Sequence, residues 1–179
     1  MDPADSNFKA CFIAIDDHGK EISKHVNREF KILIKHFLKC QKEDQDFCVE
    51  NGSPQLTVIS PDKNPYDSIQ ALSKQNLIIL LDSQRDSLYW AIRDKLISDR
   101  KCYFLITLAS TKKSKHRTYE KNESIISFSG NNIEKQIIKF VKDMCRVWMF
   151  PRLLSCDFFC MKNILSNTQG ENLLFESNT

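Results

Sequence analysis

Acidic residues follow two of the apolar runs in this sequence. Asp16 and Asp17 come directly after the run 9–15, and Asp82 comes directly after the run 77–81. Paired carboxylates at the end of a strand can bind a metal ion, and an aspartate there can accept a phosphoryl group. The same residues can form a solvated turn, and Asp82 can cap the helix that follows it. The residues leave both interpretations open.

Seven cysteines are a second possible source of chemistry. Their number is odd, and no two of them have the CxxC spacing of a metal or redox motif. Cys156 and Cys160 are four residues apart and could share a helix face, but no histidine lies near them to complete a zinc site. We therefore expect reduced cysteines that mainly fill the core, and no metal site.

The composition is that of a soluble globular protein, with 41% apolar and 27% charged residues in a chain of 179. This length suits one domain, predicted over 9–176 with tails at 1–8 and 177–179. A net charge of +3 is too small to imply nucleic acid as a partner, and the basic segment 110–122 has only Tyr119 for base stacking. The N-terminus is not a signal peptide, and no apolar run could span a bilayer. We expect a cytoplasmic protein without a membrane partner.

Short apolar runs alternate with amphipathic helices along the chain. Strands are predicted at 9–15, 56–59, 77–81, 103–109 and 123–128, and helices at 22–39, 65–74, 88–96 and 131–149. This alternation predicts an α/β fold, namely a three-layer, mostly parallel, Rossmann-like sheet with a long core helix near 131–149. In such sheets, ligands bind beyond the carboxyl ends of the strands, which is where the acidic residues lie.

The stretch 149–176 contains the most specific pattern in the chain. A long predicted helix is broken by Pro151, and a second apolar and helical pattern follows. This stretch resembles the FtsZ/tubulin family. The residues that support the resemblance are Pro151, Asp157, Phe158, Lys162, Ser166, Asn167, Gly170, Glu171 and Leu173. The resemblance implies a divergent and truncated GTPase-type α/β domain of the FtsZ/tubulin type. Asp157 then matches a family acid that serves the GTP of the neighbouring subunit.

The nucleotide loops of that family are degenerate in this chain. The resemblance places the first glycine loop at 16–19, where two carboxylates would repel phosphate, and the second at 82–87, which has no glycine. The implied nucleotide-binding residues are Asp16, Asp17, His18, Gly19, Ser83 and Asn131. GTP is the cofactor that the resemblance implies, but the loss of the glycine loops argues against its binding.

The resemblance therefore implies a protein that does not hydrolyse GTP and acts through protein contacts. It would modulate or cap FtsZ-like filaments in cell division or the cytoskeleton, with filament subunits or a second copy of itself as partner. One alternative is a divergent GTPase that itself polymerises, with Asp16 or Asp17 holding a metal ion.

Another alternative is a receiver-like signalling module with Asp82 as the phospho-acceptor. Asp16 and Asp17 would then be its paired acids, and Thr107 or Thr111 would stand near the end of the fourth strand. The lysine expected after the fifth strand of a receiver is missing.

Overall fold

The structure is a computed structural model that describes residues 9–43, 55–60, 65–82, 87–109, 122–129, 131–149, 163 and 173–176. Ten helices and strands make up most of this part of the chain. They are β1 (Lys9–Ala14), α1 (Asp17–Glu43), β2 (Gln55–Ile59), α2 (Pro65–Ala71), β3 (Gln75–Asp82), α3 (Ser87–Ser98), β4 (Cys102–Ala109), β5 (Glu123–Ser129), α4 (Ile133–Met149) and β6 (Leu173–Glu176).

All six strands belong to one sheet, and every neighbouring pair is parallel. The strand order is β2-β1-β3-β4-β5-β6, so the direction in which strands are added reverses between β1 and β3. This reversal is the topological switch point, where doubly wound sheets form a crevice at the carboxyl ends of their strands. The predicted parallel, Rossmann-like α/β class is confirmed.

Helices cover both faces of the sheet. Alternate strand residues such as Phe12, Ile79 and Ile106 lie under α1 and α4. The residues between them, such as Ile13 and Leu80, point to the other face of the sheet and pack under α2 and α3. Both sets of side chains are buried. This explains why the strands appear in the sequence as unbroken apolar runs, since a strand covered on both faces has no polar side.

Helix α1 is longer than the sequence periodicity predicted. It begins at Asp17, five residues before the predicted start at 22, and continues to Glu43, beyond the predicted end at 39. Its 27 residues span about 40 Å, roughly twice the length of a six-residue strand such as β1. The predicted long helix near 131–149 is confirmed as α4, which begins at Ile133. Within the described ranges, no helix is both long enough and apolar enough to cross a bilayer.

Candidate functional site

The link between β1 and α1 is only two residues long, Ile15 and Asp16. The Ile15 N–H donates to the Leu81 carbonyl at 3.2 Å, which extends the contact between β1 and β3. Asp16 then caps α1, because its Oδ1 accepts a hydrogen bond from the Gly19 N–H at 2.7 Å. The Asp16 carbonyl accepts from the same N–H at 3.0 Å. The chain's own carboxylate thus occupies the positive end of this helix.

Gly19 allows α1 to pack closely against the sheet. A Cβ atom at this position would lie 2.6 Å from the Cβ of Ala14 and 3.4 Å from Cδ2 of Leu81. Carbon atoms do not approach so closely, so any side chain here would push the helix away from β1. The Ser23 hydroxyl also donates to the Gly19 carbonyl at 2.8 Å inside the protein. Close helix–strand packing therefore accounts for this glycine.

The acidic residues predicted from the sequence meet at the switch point. Asp17 is the first residue of α1 and is exposed, while Asp82 ends β3. Since Ala14 pairs with Leu81 in adjacent strands, the backbones of Asp82 and Asp16 lie at the same edge of the sheet. His18 follows in the first turn of α1. Within the described part of the chain, no three His, Cys, Asp or Glu residues are grouped to hold a metal ion.

Asn131 lies at a different point of the same edge. It follows β5, which is three strands from β1 and therefore about 14 Å away at the usual strand spacing. Its carbonyl accepts a hydrogen bond from Nε2 of Gln136 at 3.1 Å. The next residue, Asn132, has a φ of 63° and accepts the Gln136 N–H at 3.1 Å. Both asparagines thus form the start of α4, and Asn131 does not join Asp16 in one cluster.

Several predicted residues lie outside the described residues. They include Ser83, Thr111, Cys156, Asp157 and Cys160, together with most of the residues that support the family resemblance. The proline break at 151 and, except for Asn163, the helical pattern after it lie outside them as well. The roles assigned to these positions remain predictions.

A polar cluster between α3, β4 and β5 was not predicted. Nε of Arg93 donates to Oε1 of Glu123 at 2.8 Å, and its Nη2 donates to the other oxygen of that carboxylate. The Arg93 and Glu123 side chains are only 11% and 4% exposed. Nη1 of Arg93 donates to Oδ1 of Asp94 at 2.7 Å. Burial acts to lower the pKa of Arg93, but the hydrogen bonds that it donates to the Glu123 and Asp94 carboxylates raise this pKa above its ordinary value.

A second buried polar contact lies beside this pair. The hydroxyl groups of Tyr89 and Thr107 are 2.9 Å apart and both residues are buried. Thr107 is two residues before the end of β4, so it lies beneath α3 and not at the edge of the sheet. This placement does not suit the role that the receiver alternative gave to Thr107.

The polar cluster puts a charged residue on the inner face of α3. Tyr89, Ile92 and Leu96 are buried as expected of an amphipathic helix, but Arg93 is buried with them and Ala91 is exposed. One signal in the sequence pointed to this arrangement: a glutamate opens the apolar run 123–128. The partner of such a glutamate cannot be found from the sequence because it lies 30 residues away in another element.

Three cysteines within the described residues are free thiols, as predicted. Burial raises the pKa of Cys11, Cys102 and Cys145 to about 12. These side chains are therefore neutral thiols at physiological pH, and since the thiolate is the nucleophile and the metal ligand, they are poor nucleophiles and poor metal ligands at that pH.

A cavity of about 550 Å³, lined by both polar and apolar residues, lies between α2 and β2, which is the outermost strand of the described sheet. Its lining runs along the length of β2, from Gln55 to Ser60 just beyond the strand, and includes Lys9 and Gln75, the first residues of β1 and β3. Asp16 and Asp17 are not among the described residues that line it. The cavity therefore does not include these acidic residues.

Comparisons with models of protein families, with curated proteins and with solved structures give no match. The resemblance to the FtsZ/tubulin family thus remains an interpretation of the residues between 149 and 176.

Proposed function

We propose that this protein acts through contacts with other proteins and does not turn over a nucleotide. The observation that supports this most is the self-capped start of α1. A phosphate at a helix start is held by backbone N–H groups that have no other partner. Here Asp16 occupies the Gly19 N–H, and the carboxylate of Asp17 is adjacent. A phosphate group at this position would meet negative charge and would find the Gly19 N–H already bonded to Asp16.

In its specific form, the proposal makes the protein a modulator or cap of FtsZ-like filaments in the cytoplasm. The basis is the resemblance over 149–176, in which Asp157 matches an acid directed at the nucleotide of a neighbouring subunit. Subunits of that family stack head to tail. A protein that offers Asp157 to a partner, but has no nucleotide of its own beside Asp16, would end a filament instead of extending it.

Co-sedimentation with FtsZ filaments assembled in GTP tests the specific form. We expect the full-length protein to pellet with the filaments and, at substoichiometric amounts, to shorten them in electron micrographs. The Asp157→Ala variant should lose both effects while its circular dichroism spectrum stays unchanged. If the protein neither pellets nor alters polymer mass, it is not a filament cap.

A receiver-like signalling module is the second candidate. The strand order β2-β1-β3-β4-β5 matches doubly wound sheets of the flavodoxin type, and it places Asp16, Asp17 and Asp82 at the ends of adjacent strands. The use of Asp16 as a helix cap and the packing of Thr107 beneath α3 weigh against it. Beryllofluoride with magnesium should perturb amide resonances around Asp82 if this candidate is correct. An unchanged spectrum, or the same change in Asp82→Asn, rules it out.

A further inference from the structure

The solvent face of α1 presents a straight row of cations. Lys24, Arg28, Lys31, Lys35 and Lys39 recur at spacings of three or four residues, and all five are exposed. At 3.6 residues per turn they fall within about 80° of one another, along about 22 Å of helix. The row therefore forms one surface, in contrast to the dispersed charge that the net value of +3 suggests.

Acidic residues of α1 neutralise this row only in part. Glu21 pairs with Lys24 at 2.6 Å, near the start of the helix. Oε2 of Glu29 is directed toward α4, where Nζ of Lys142 lies 2.6 Å away, although Oε1 of Glu29 is 3.9 Å from Arg28. Among the described residues, no ion pair engages Lys31 or Lys35. The α4 cations beside Glu29 are themselves paired, since Lys142 contacts Glu29 and Arg146 lies 3.4 Å from Asp143, so the uncompensated charge is that of α1. The middle of the row is therefore a strongly positive surface.

Exposed apolar side chains flank the same row. Ile32 is 52% exposed and Leu38 is 41% exposed, and they are the two large aliphatic side chains exposed in the described part of the chain. On the helix circumference, Ile32 lies about 60° to one side of the row and Leu38 about 60° to the other. A surface in contact with the cations would thus also reach both apolar groups.

We propose that this face of α1 binds the surface of an anionic membrane. The cations would contact phospholipid head groups, and Ile32 and Leu38 would enter the interface between head groups and acyl chains. The phosphate backbone of a nucleic acid would satisfy the cations but would leave the two apolar side chains in water. The described part of the row also offers no aromatic side chain for base stacking.

The contact is peripheral and needs no membrane-spanning helix. It departs from the expectation, based on composition, that the protein has no membrane partner. That expectation used the net charge of the whole chain, which does not show that cations are concentrated on one face of α1. It does not depend on the proposed filament role, and either proposal can fail without the other.

Sedimentation with lipid vesicles tests the proposal on the full-length protein. Vesicles of phosphatidylcholine with about 30% phosphatidylserine should bind the protein at low salt, and pure phosphatidylcholine should not. Each cation near such a surface contributes about fivefold to binding, so Lys31→Glu/Lys35→Glu should bind about 25-fold more weakly or worse. Ile32→Ser/Leu38→Ser should bind these vesicles several-fold more weakly than the wild type, although it retains all five cations of the row.

The matched control is Lys74→Glu/Arg100→Glu. It makes the same change in net charge at exposed positions outside α1, just before β3 and β4. At about 0.1 M salt, where charges more than about 10 Å apart are largely screened, this variant should bind vesicles within about threefold of the wild type. All variants should show the wild-type melting temperature within a few degrees, as surface substitutions usually do.

Three results would overturn the proposal. The first is no binding to phosphatidylserine vesicles at low salt. The second is an equal loss of binding in the control variant, which would show a general charge effect without a site on α1. The third is that the protein binds duplex DNA or RNA but not vesicles, and that Lys31→Glu/Lys35→Glu abolishes the binding to nucleic acid. That third result would assign the row to nucleic acid.

Discussion

The two helical layers both carry exposed ion pairs but differ in what lies beneath them. Helices α1 and α4 have the exposed pair Lys139–Asp143 and the partly exposed pair Lys142–Glu29 above an apolar interior, and α3 has the exposed pair Lys95–Asp99. Under α3, on the opposite face, Arg93 and Glu123 form an ion pair inside the protein. An outer face with its charge in water is available to partners, whereas a buried pair is committed to the fold. The difference separates the surface on which we look for function from the region that chiefly provides stability.

Removal of one member of the buried pair should have the largest effect. Glu123→Ala leaves the Arg93 guanidinium buried without its main partner, which typically costs about 3–5 kcal/mol. Urea unfolding measures this change. Asp143→Ala, which breaks the exposed pair in α4, should cost less than about 1 kcal/mol. Equal losses in the two variants would contradict the contrast between the layers. The double variant Arg93→Met/Glu123→Leu should recover much of the lost stability, because no uncompensated charge remains.

Gly19→Ala should have the next largest effect. The added methyl group would overlap Ala14 at 2.6 Å, and overpacking of this kind costs about 1–3 kcal/mol. In the background Ala14→Gly, the same substitution should cost clearly less, since the clashing atom is gone. Thermal unfolding of the wild type, the two single variants and the double variant gives the coupling free energy between positions 14 and 19. If Gly19→Ala were neutral or stabilising, as helix propensity alone would favour, α1 would not pack as closely as described.

Much of this fold was predictable because its signals are local. The apolar runs of β1 to β5 and the helical periodicities of α1 to α4 are contained within short stretches. The sequence did not reveal β6, a four-residue strand, or the last turn of α1, whose polar residues include strong helix formers. The Arg93–Glu123 pair depends on a contact between distant elements, so no local pattern predicts it.

The candidate site was predictable in position but not in role. Asp16 and Asp17 were expected at the carboxyl end of the first strand, and they lie there. That Asp16 caps α1 follows from the two-residue link and the close approach at Gly19, which only the assembled structure reveals. Asn131 was assigned to the same site, yet β3 and β4 separate its strand from β1.

Asp16→Ala should destabilise the protein by less than the upper end of the range given for Gly19→Ala. Loss of the cap leaves the Gly19 N–H without its side-chain acceptor, which typically costs about 1 kcal/mol. Asp16→Asn retains an oxygen that can accept the same hydrogen bond, so it should cost only a few tenths of this amount. Chemical denaturation distinguishes the two variants. If both are as stable as the wild type, Asp16 does not act as the cap.

Glu29→Gln should have the smallest effect, and that effect should depend on pH. The hydrogen bond from Lys142 lowers the pKa of Glu29 below its ordinary value of 4.5, and the charge of Lys142 adds to this. The carboxylate therefore stabilises the folded protein above pH 4.5, and its contribution is lost as the pH falls through the lower, folded-state pKa. Urea unfolding at neutral pH should show a loss below about 1 kcal/mol for this partly exposed pair. Near pH 3 the difference between variant and wild type should shrink; an equal difference at both pH values would contradict it.

The central claim is that the acidic, self-capped edge at β1 and β3 does not bind a nucleotide. Isothermal titration of the full-length protein with GTP and magnesium at millimolar concentration tests it most directly, and a known GTPase serves as the positive control. The account predicts no saturable heat for the wild type. Saturable binding that Asp16→Ala or Asp17→Ala weakens would contradict it, and would favour the alternative of a divergent GTPase.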